Sequence, residues 1–131
     1  MIFTTIDGLG LAVKHKRASV SFKLIKDFPV GNDKFDFKFD KETFKELCDH
    51  IKKVSLEVWP SLKPKDATSE ASDYAEFYDK VSDNNGSLGI SRYYHGLNIN
   101  RPYLSQRLLY RFNKAKMQCF IYDLNKLEEM E

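Results

Sequence analysis

Residues 34–39 read "KFDFKF", and this short stretch decides the fold class. Its phenylalanines alternate strictly with charged residues. That alternation is typical of a β-strand with one buried and one solvated face, because successive side chains of a strand point to opposite sides. We therefore expect Phe35, Phe37 and Phe39 to face one hydrophobic core.

An amphipathic helix is predicted directly after this strand. Asp40 is a residue type that caps helix N-termini, and Pro60 and Pro64 end the helical pattern. Between them, residues 41–59 read "KETFKELCDHIKKVSLEVW". Apolar residues recur there at the spacing that forms one face of a helix, at Phe44, Leu47, Cys48, Ile51, Val54, Leu56 and Val58. We expect this face to pack on the phenylalanines of the strand.

The residues before position 34 also favour strands. Two β-rich runs flank the basic residues 14–17, and in the second run the apolar residues Val20, Phe22 and Leu24 alternate with polar ones. A chain of 131 residues corresponds to one domain. The predicted fold is therefore a single α+β domain over residues 1–131. Its N-terminal antiparallel sheet is expected to pack against two to three helices, which form a single layer on one face.

The second half of the chain gives weaker signals. A short helix is predicted from residue 69 through residue 81, a turn at "SDNNGS" (82–87), and a short strand in "SLGISRYYHGL" (87–97). Pro102 suits the first turn of a helix, which we expect over residues 102–114. In a longer helix the basic residues would precede the acidic ones, against the helix dipole, so residues 117–124 stay open between helix and strand. No internal repeat is visible.

Composition and termini indicate a cytoplasmic protein that does not insert into membranes. The longest apolar run is far shorter than the roughly 20 residues that span a bilayer. The N-terminus lacks a basic segment and carries Asp7 among its apolar residues, unlike a signal peptide. Cys48 and Cys119 are expected to be buried, reduced thiols that do not form a disulfide.

The short motifs that would indicate a cofactor or metal site lack the local geometry that such a site needs. Gly8 and Gly10 precede strand-like residues instead of a helix N-terminus, so they do not form a phosphate-binding loop. Cys48 and His50 are two residues apart in a predicted helix and point to different sides, which does not suit a metal. We expect no metal, no cofactor and no catalysis. A small enzyme using His95 is the last alternative.

One segment combines basic and aromatic residues: "RYYHGLNINRPYLSQR", residues 92–107, without a single acidic residue. If residues 102–114 form a helix, Arg107, Arg111 and Lys114 follow one another at spacings of four and three residues and lie along one side of it. The predicted binding residues are Arg92, Tyr93, Tyr94, His95, Arg101, Tyr103, Arg107, Arg111 and Lys114.

Three interpretations of this segment stay open. Arginine and tyrosine dominate protein-interface hot spots, and they also stack on and neutralise single-stranded nucleic acid. Alternatively the tyrosines pack inward and the arginines form a solvated face.

The charges are distributed unevenly along the chain. Residues 61–90 carry six acidic and three basic side chains, whereas residues 91–116 carry six basic and none acidic. The electrostatic field around the protein is therefore expected to be uneven.

Our first hypothesis is a non-catalytic binding protein whose partner is a protein with an acidic surface, as inhibitors, immunity-type proteins and accessory proteins of mobile elements are. The alternative is a single-stranded nucleic-acid-binding module that uses the 14–17 hairpin together with the segment 92–107. No sequence feature identifies the partner.

Overall fold

The computed structural model describes residues 1–25, 34–79, 84–101 and 107–130, which contain eight β-strands and two α-helices. The elements in chain order are β1 (Ile2–Thr4), β2 (Gly10–Lys16), β3 (Ser19–Leu24), β4 (Lys34–Lys38), α1 (Lys41–Val58), a 3-10 turn (Glu70–Ser72), β5 (Glu76–Asp79), β6 (Asn84–Ile90), β7 (Gly96–Asn100), β8 (Leu108–Phe112) and α2 (Lys114–Glu129). The α+β class is confirmed. The layout differs from the prediction.

The strands form two antiparallel sheets instead of one. The first sheet has the order β1-β2-β3-β8, and the second has the order β4-β7-β6-β5. The expectation of a single N-terminal sheet is therefore wrong for β4, which belongs to the second sheet. Alternation along a strand reports which side is buried, but it carries no information about which strand lies beside it.

The two sheets reveal an internal repeat that the sequence does not show. Each half of the chain has four strands followed by a helix, and each sheet holds the first three strands of one half and the fourth strand of the other. The fourth strands, β4 and β8, are thus exchanged between the halves. The topology has an approximate two-fold relation.

The N-terminal caps of the two helices are alike, so the two-fold relation includes individual hydrogen bonds. The Asp40 carboxylate accepts the N–H of Thr43 at 2.7 Å, and the Asn113 amide oxygen accepts the N–H of Lys116 at 2.8 Å. Counted from these caps, the buried positions of α1 and α2 coincide in four places: Phe44 and Met117, Leu47 and Phe120, Cys48 and Ile121, Ile51 and Leu124. The positions repeat while the residue types do not, which is why no repeat is visible in the sequence.

One hydrophobic core joins both sheets and both helices. Phe35, Phe37 and Phe39 all belong to it, as predicted, and the Phe39 ring stacks on Phe44 of α1 at 6.3 Å between centroids. Helix α1 packs against β1, β2 and β3, and α2 packs against β8, α1 and the 3-10 turn. The face of the first sheet that meets α1 carries its large apolar side chains.

The helix predicted over residues 102–114 is wrong where the structure describes it. Residues 108–112 form strand β8, which pairs with β3 so that Phe112 lies opposite Val20 and Tyr110 opposite Phe22. Residues 102–106 lie outside the described part. The leucines, arginines and tyrosine of this stretch are compatible with either conformation, and pairing with a distant strand decides between them. Residues 117–124, left open above, are helical within α2.

The short helix predicted from residue 69 is reduced to the 3-10 turn, after which the chain forms β5. Tyr74 stays buried and Tyr78 is half-exposed on that strand. β5 pairs with β6, with Tyr78 opposite Asn85. The spacing of the apolar residues 74, 77, 78 and 81 resembles a helix period. The chain forms a hairpin with β6 instead, because β6 supplies hydrogen-bond partners for the backbone N–H and C=O groups of β5.

Candidate functional site

The turn Arg92–His95, which joins β6 to β7, holds the first group of predicted site residues. The Ser91 hydroxyl accepts the N–H groups of Tyr93 and Tyr94 at 3.1 and 3.3 Å, which fixes the turn. Tyr93 is 97% exposed, whereas the Tyr94 ring lies 5.1 Å from the Lys38 ammonium. These residues belong to the second sheet.

Arg101 and Arg107 are held by backbone carbonyls of the chain itself. Arg101 is only 4% exposed, and its guanidinium donates to the carbonyl oxygens of Leu108 and Leu109 at 3.0 and 3.4 Å. Arg107 is exposed and donates to the carbonyl oxygen of Ile25 at 2.7 Å. These hydrogen bonds connect β8 and the residue before it to neighbouring segments. Because Arg101 is buried, it adds no binding surface. Tyr103 lies outside the described residues.

Arg111 and Lys114 do not share a helical stripe with Arg107. Arg111 is an exposed residue of strand β8, and Lys114 is the first residue of α2, where its ammonium donates to the Ser61 hydroxyl at 2.8 Å. The predicted stripe is therefore wrong. It required a continuous helix, and the chain changes from strand to helix at Asn113.

Arg111 instead joins cations from the opposite end of the chain. Ser21 of β3 lies opposite Lys14 of β2 on one side and opposite Arg111 of β8 on the other. Direct cross-strand partners point to the same face of a sheet, and two strand spacings separate Lys14 from Arg111 by about 10 Å. Lys16 and Lys23 occupy the same face, since each is an even number of residues from these partners. We call Lys14, Lys16, Lys23 and Arg111 the basic face.

Two partly exposed apolar side chains, Ile2 and Leu108, lie on the same side of the sheet as the basic face. Ile2, Ala12, Lys23 and Leu108 form one row across the four strands of the first sheet. Ile2 is 56% exposed and Leu108 is half-buried. The row lies on the side of the sheet opposite the large apolar residues that meet α1. Ala12, next to Ile2 in this row, is buried, and Lys23 belongs to the basic face, so the row sets apolar side chains beside a cation.

The strands that carry the basic face contribute no carboxylates of their own. Strands β2, β3 and β8 contain no aspartate or glutamate. The two ion pairs formed among the described residues, His15 with Glu57 and Lys52 with Glu128, do not involve the four residues of the basic face. Within the described residues, a cluster of cations without carboxylates on its own strands is the kind of surface that attracts an oppositely charged one.

The exposed tyrosines lie elsewhere. Among the described residues, the tyrosines that are at least half-exposed are Tyr78 on β5 and Tyr93 in the β6–β7 turn, both in the second sheet. Tyr110, next to Arg111, is fully buried and donates its hydroxyl hydrogen to the carbonyl oxygen of Tyr74 at 2.7 Å. The structure thus separates Arg111 and the other cations of the basic face from the exposed tyrosines, whereas Arg92 stays beside Tyr93 in the β6–β7 turn.

Buried titratable groups serve the core. Burial raises the pKa of the Tyr74 and Tyr110 hydroxyls, and Tyr74 donates to the Asp123 carboxylate at 2.7 Å. Both cysteines are buried and free, and burial raises the pKa of the Cys119 thiol, which opposes formation of a reactive thiolate. Across residues 1–25, 34–79, 84–101 and 107–130, no group of three His, Cys, Asp or Glu side chains could hold a metal ion.

Sequence reasoning missed Lys23 and connected Lys14 to the wrong neighbours. The signal for Lys23 was present, because residues 19–24 alternate and Lys23 falls on the polar side with Ser19 and Ser21. The neighbour Arg111 had no such signal, since its place depends on β3 and β8 pairing across most of the chain.

Comparisons of the chain with protein-family models, with curated proteins and with solved structures find no match. No helix within the described ranges has the length and apolar character needed to cross a membrane.

Proposed function

We propose that this protein is a non-catalytic binding protein whose basic face docks on an acidic surface of another protein. The observation that carries the proposal is the position of Lys14 and Arg111 on either side of Ser21, on strands without carboxylates. Because the sheet fixes the spacing of the backbone positions that carry these cations, no loop has to be ordered for the face to bind.

The neighbours of the basic face favour a protein over a nucleic acid. Sequence-independent binding of single strands relies on aromatic rings on which bases stack, interleaved with the cations. On this face the residues beside the cations are serines and the apolar side chains of Ile2, Ala12 and Leu108. Apolar and small polar side chains beside cations suit contact with a protein surface better than stacking of bases.

The role we propose is occupation of the partner's surface, as inhibitors and immunity-type proteins act. We place it in the cytoplasm, a compartment that keeps thiols reduced and so suits two free, buried cysteines. Accessory proteins of mobile elements that act by contact belong to the same mechanistic class. The partner is defined here by its chemistry, an acidic surface.

The test compares two charge-reversed proteins in a nuclease-treated pull-down from the native cell, with captured proteins identified by mass spectrometry. Lys14→Glu with Arg111→Glu removes the centre of the basic face. Lys53→Glu with Lys63→Glu makes the same charge change at exposed sites on α1 and the connection after it. We expect a partner that the parent and the control retain and the first variant loses.

Two results contradict the proposal. One is retention of every partner by the Lys14→Glu, Arg111→Glu variant. The other is a salt-dependent shift of a labelled single-stranded oligonucleotide that the same variant abolishes, since this result would assign the basic face to nucleic acid.

A further inference from the structure

A groove of about 500 Å³ lies between the N-terminal half of α1 and the C-terminal half of α2. Its floor is apolar, formed by Phe44 and Cys48 of α1 and by Leu124 and Leu127 of α2. His95 borders the groove, with its ring 6.0 Å from that of Phe44. The remaining lining residues are charged: Lys41, Glu42, Lys45 and Glu128.

The two-fold relation between the halves gives this groove a counterpart. Counted from the helix caps Asp40 and Asn113, the α1 lining residues Lys41, Phe44 and Cys48 correspond to Lys114, Met117 and Ile121 of α2. The α2 floor residues Leu124 and Leu127 correspond in the same way to Ile51 and Val54 of α1. The counterpart therefore lies between the N-terminal half of α2 and the C-terminal half of α1.

An irregular segment of the chain, residues 59–65, lies against α2 at the position that corresponds to this groove. The Ser61 hydroxyl accepts from the Lys114 ammonium at 2.8 Å, and the N–H of Lys65 donates to the carbonyl oxygen of Gln118 at 3.2 Å. Between these two contacts the Leu62 side chain is buried in the core. An irregular segment with one leucine as its anchor thus fits a groove of this construction.

We propose that the groove between Lys41–Cys48 and Leu124–Glu128 binds an extended segment of a partner protein in the way that its counterpart holds residues 59–65. The segment inserts one leucine-sized side chain onto the apolar floor and runs along the first turns of α1. The groove lies on the helices, and the basic face lies on the opposite side of the first sheet from α1. The inference therefore does not rest on the proposed function.

The charges around the groove specify an acidic flank for this segment. Lys41 and Lys45 are four residues apart on one side of α1, so they lie next to each other at its N-terminal end, where the helix dipole also favours an anion. The Glu128 carboxylate is engaged by the Lys52 ammonium at 3.0 Å, which leaves Glu42 as the carboxylate beside the two lysines. A segment with one or two acidic residues next to the leucine matches this arrangement.

The test uses the full chain and a fluorescein-labelled synthetic peptide, WPSLEPE. This peptide is the sequence of residues 59–65 with Lys63→Glu and Lys65→Glu. We expect saturable binding by fluorescence polarisation. The same peptide with Leu62→Ala should bind at least about tenfold more weakly, because burial of a leucine side chain contributes that much to an equilibrium constant.

Protein variants assign the peptide to the groove. Lys41→Glu with Lys45→Glu changes only the groove and should abolish most of the binding, while the fold, checked by circular dichroism, stays intact because both side chains are exposed. Lys53→Glu with Lys63→Glu is the matched control and should bind as the parent does. Leu127→Arg, which places a charge on the half-buried edge of the floor, should also abolish binding.

Four results would each overturn the proposal. The first three are no saturable binding by the parent, equal binding by the Lys41→Glu, Lys45→Glu variant, and equal binding of the Leu62→Ala peptide. A fourth is a concentration-dependent dimer of the parent that Leu127→Arg dissociates, because a second copy of the chain would then occupy the groove. None of these results depends on the Lys14→Glu, Arg111→Glu variant, so the two proposals fail separately.

Discussion

Lys14 and Arg111 flank Ser21 on the outward face of the first sheet, although they come from the second and the eighth strand of the chain. Neither the hairpin 14–17 nor the segment 92–107 alone contains this pair. The surface therefore exists only in the folded protein, and a peptide that carries either segment does not reproduce it.

Charge reversal at this pair should act on the rate of association. In the Lys14→Glu, Arg111→Glu variant, binding to an acidic protein partner should slow and should lose most of its dependence on salt, because the attraction that steers the encounter is removed. Stability should stay within about 0.5 kcal/mol per exposed substitution. Stopped-flow association at two salt concentrations measures the effect. Equal rates for variant and parent would reduce the basic face to a solvated surface.

Phe37→Ala should destabilise the protein by about 3–5 kcal/mol in urea unfolding, as expected for a buried ring. The Phe37 side chain is fully buried on β4 and lies opposite Leu97 of β7. Lys38→Ala, on the exposed side of the same strand, is the control and should cost at most about 1 kcal/mol, mainly through its contact with the Tyr94 ring. A loss below 1 kcal/mol for Phe37→Ala would mean that the facing of β4 is wrong.

Asn113→Ala should destabilise the protein by about 1 kcal/mol, because the N–H of Lys116 then loses the side-chain oxygen that it donates to. Asn113→Asp keeps a capping oxygen and should restore most of this loss. Chemical denaturation of the three proteins measures the difference. If alanine and aspartate behave alike, capping does not decide where α2 begins.

Stability should fall as the pH is lowered from 7 to 5.5, and His50 should contribute to this fall. Burial against the Phe3 ring lowers the pKa of His50 below its usual 6.5, and the N-terminal ammonium lowers it further. Between the pKa of His50 in the folded protein and 6.5, the unfolded chain therefore binds more protons than the folded one. The contribution of neutral His50 to the free energy of unfolding is complete above this pH window and is lost below it. Urea midpoints of the parent should drop across this range more than those of His50→Gln. An identical drop in both proteins would assign the effect to other groups.

Residues 34–58 show how much of the fold local sequence determines. The alternation of Phe35, Phe37 and Phe39 and the capping residue Asp40 place β4 and α1 to within one residue. Both signals act within a few positions along the chain, so a single sequence suffices to read them.

Residues 107–112 show where local reading stops. Leu108–Phe112 contains neither glycine nor proline and suits a helix, yet it completes the first sheet. The register that decides this involves Val20 and Phe22, which lie in the opposite half of the chain. The candidate site inherits the same difficulty, because Arg111 reaches the basic face only through that pairing. Arg92 and Tyr93 lie within residues 87–97, for which a short strand is predicted, but they form the turn between β6 and β7 of the other sheet.

The exchange of β4 and β8 has a consequence for the growing chain on the ribosome. β1, β2 and β3 emerge first, but β3 keeps one open edge until residues 108–112 have left the exit tunnel, because its second neighbour is β8. An open strand edge is a template for pairing with other chains. The nascent protein therefore carries an unfinished sheet until β8 has emerged, and the final closure waits for contacts between residues that are distant in sequence.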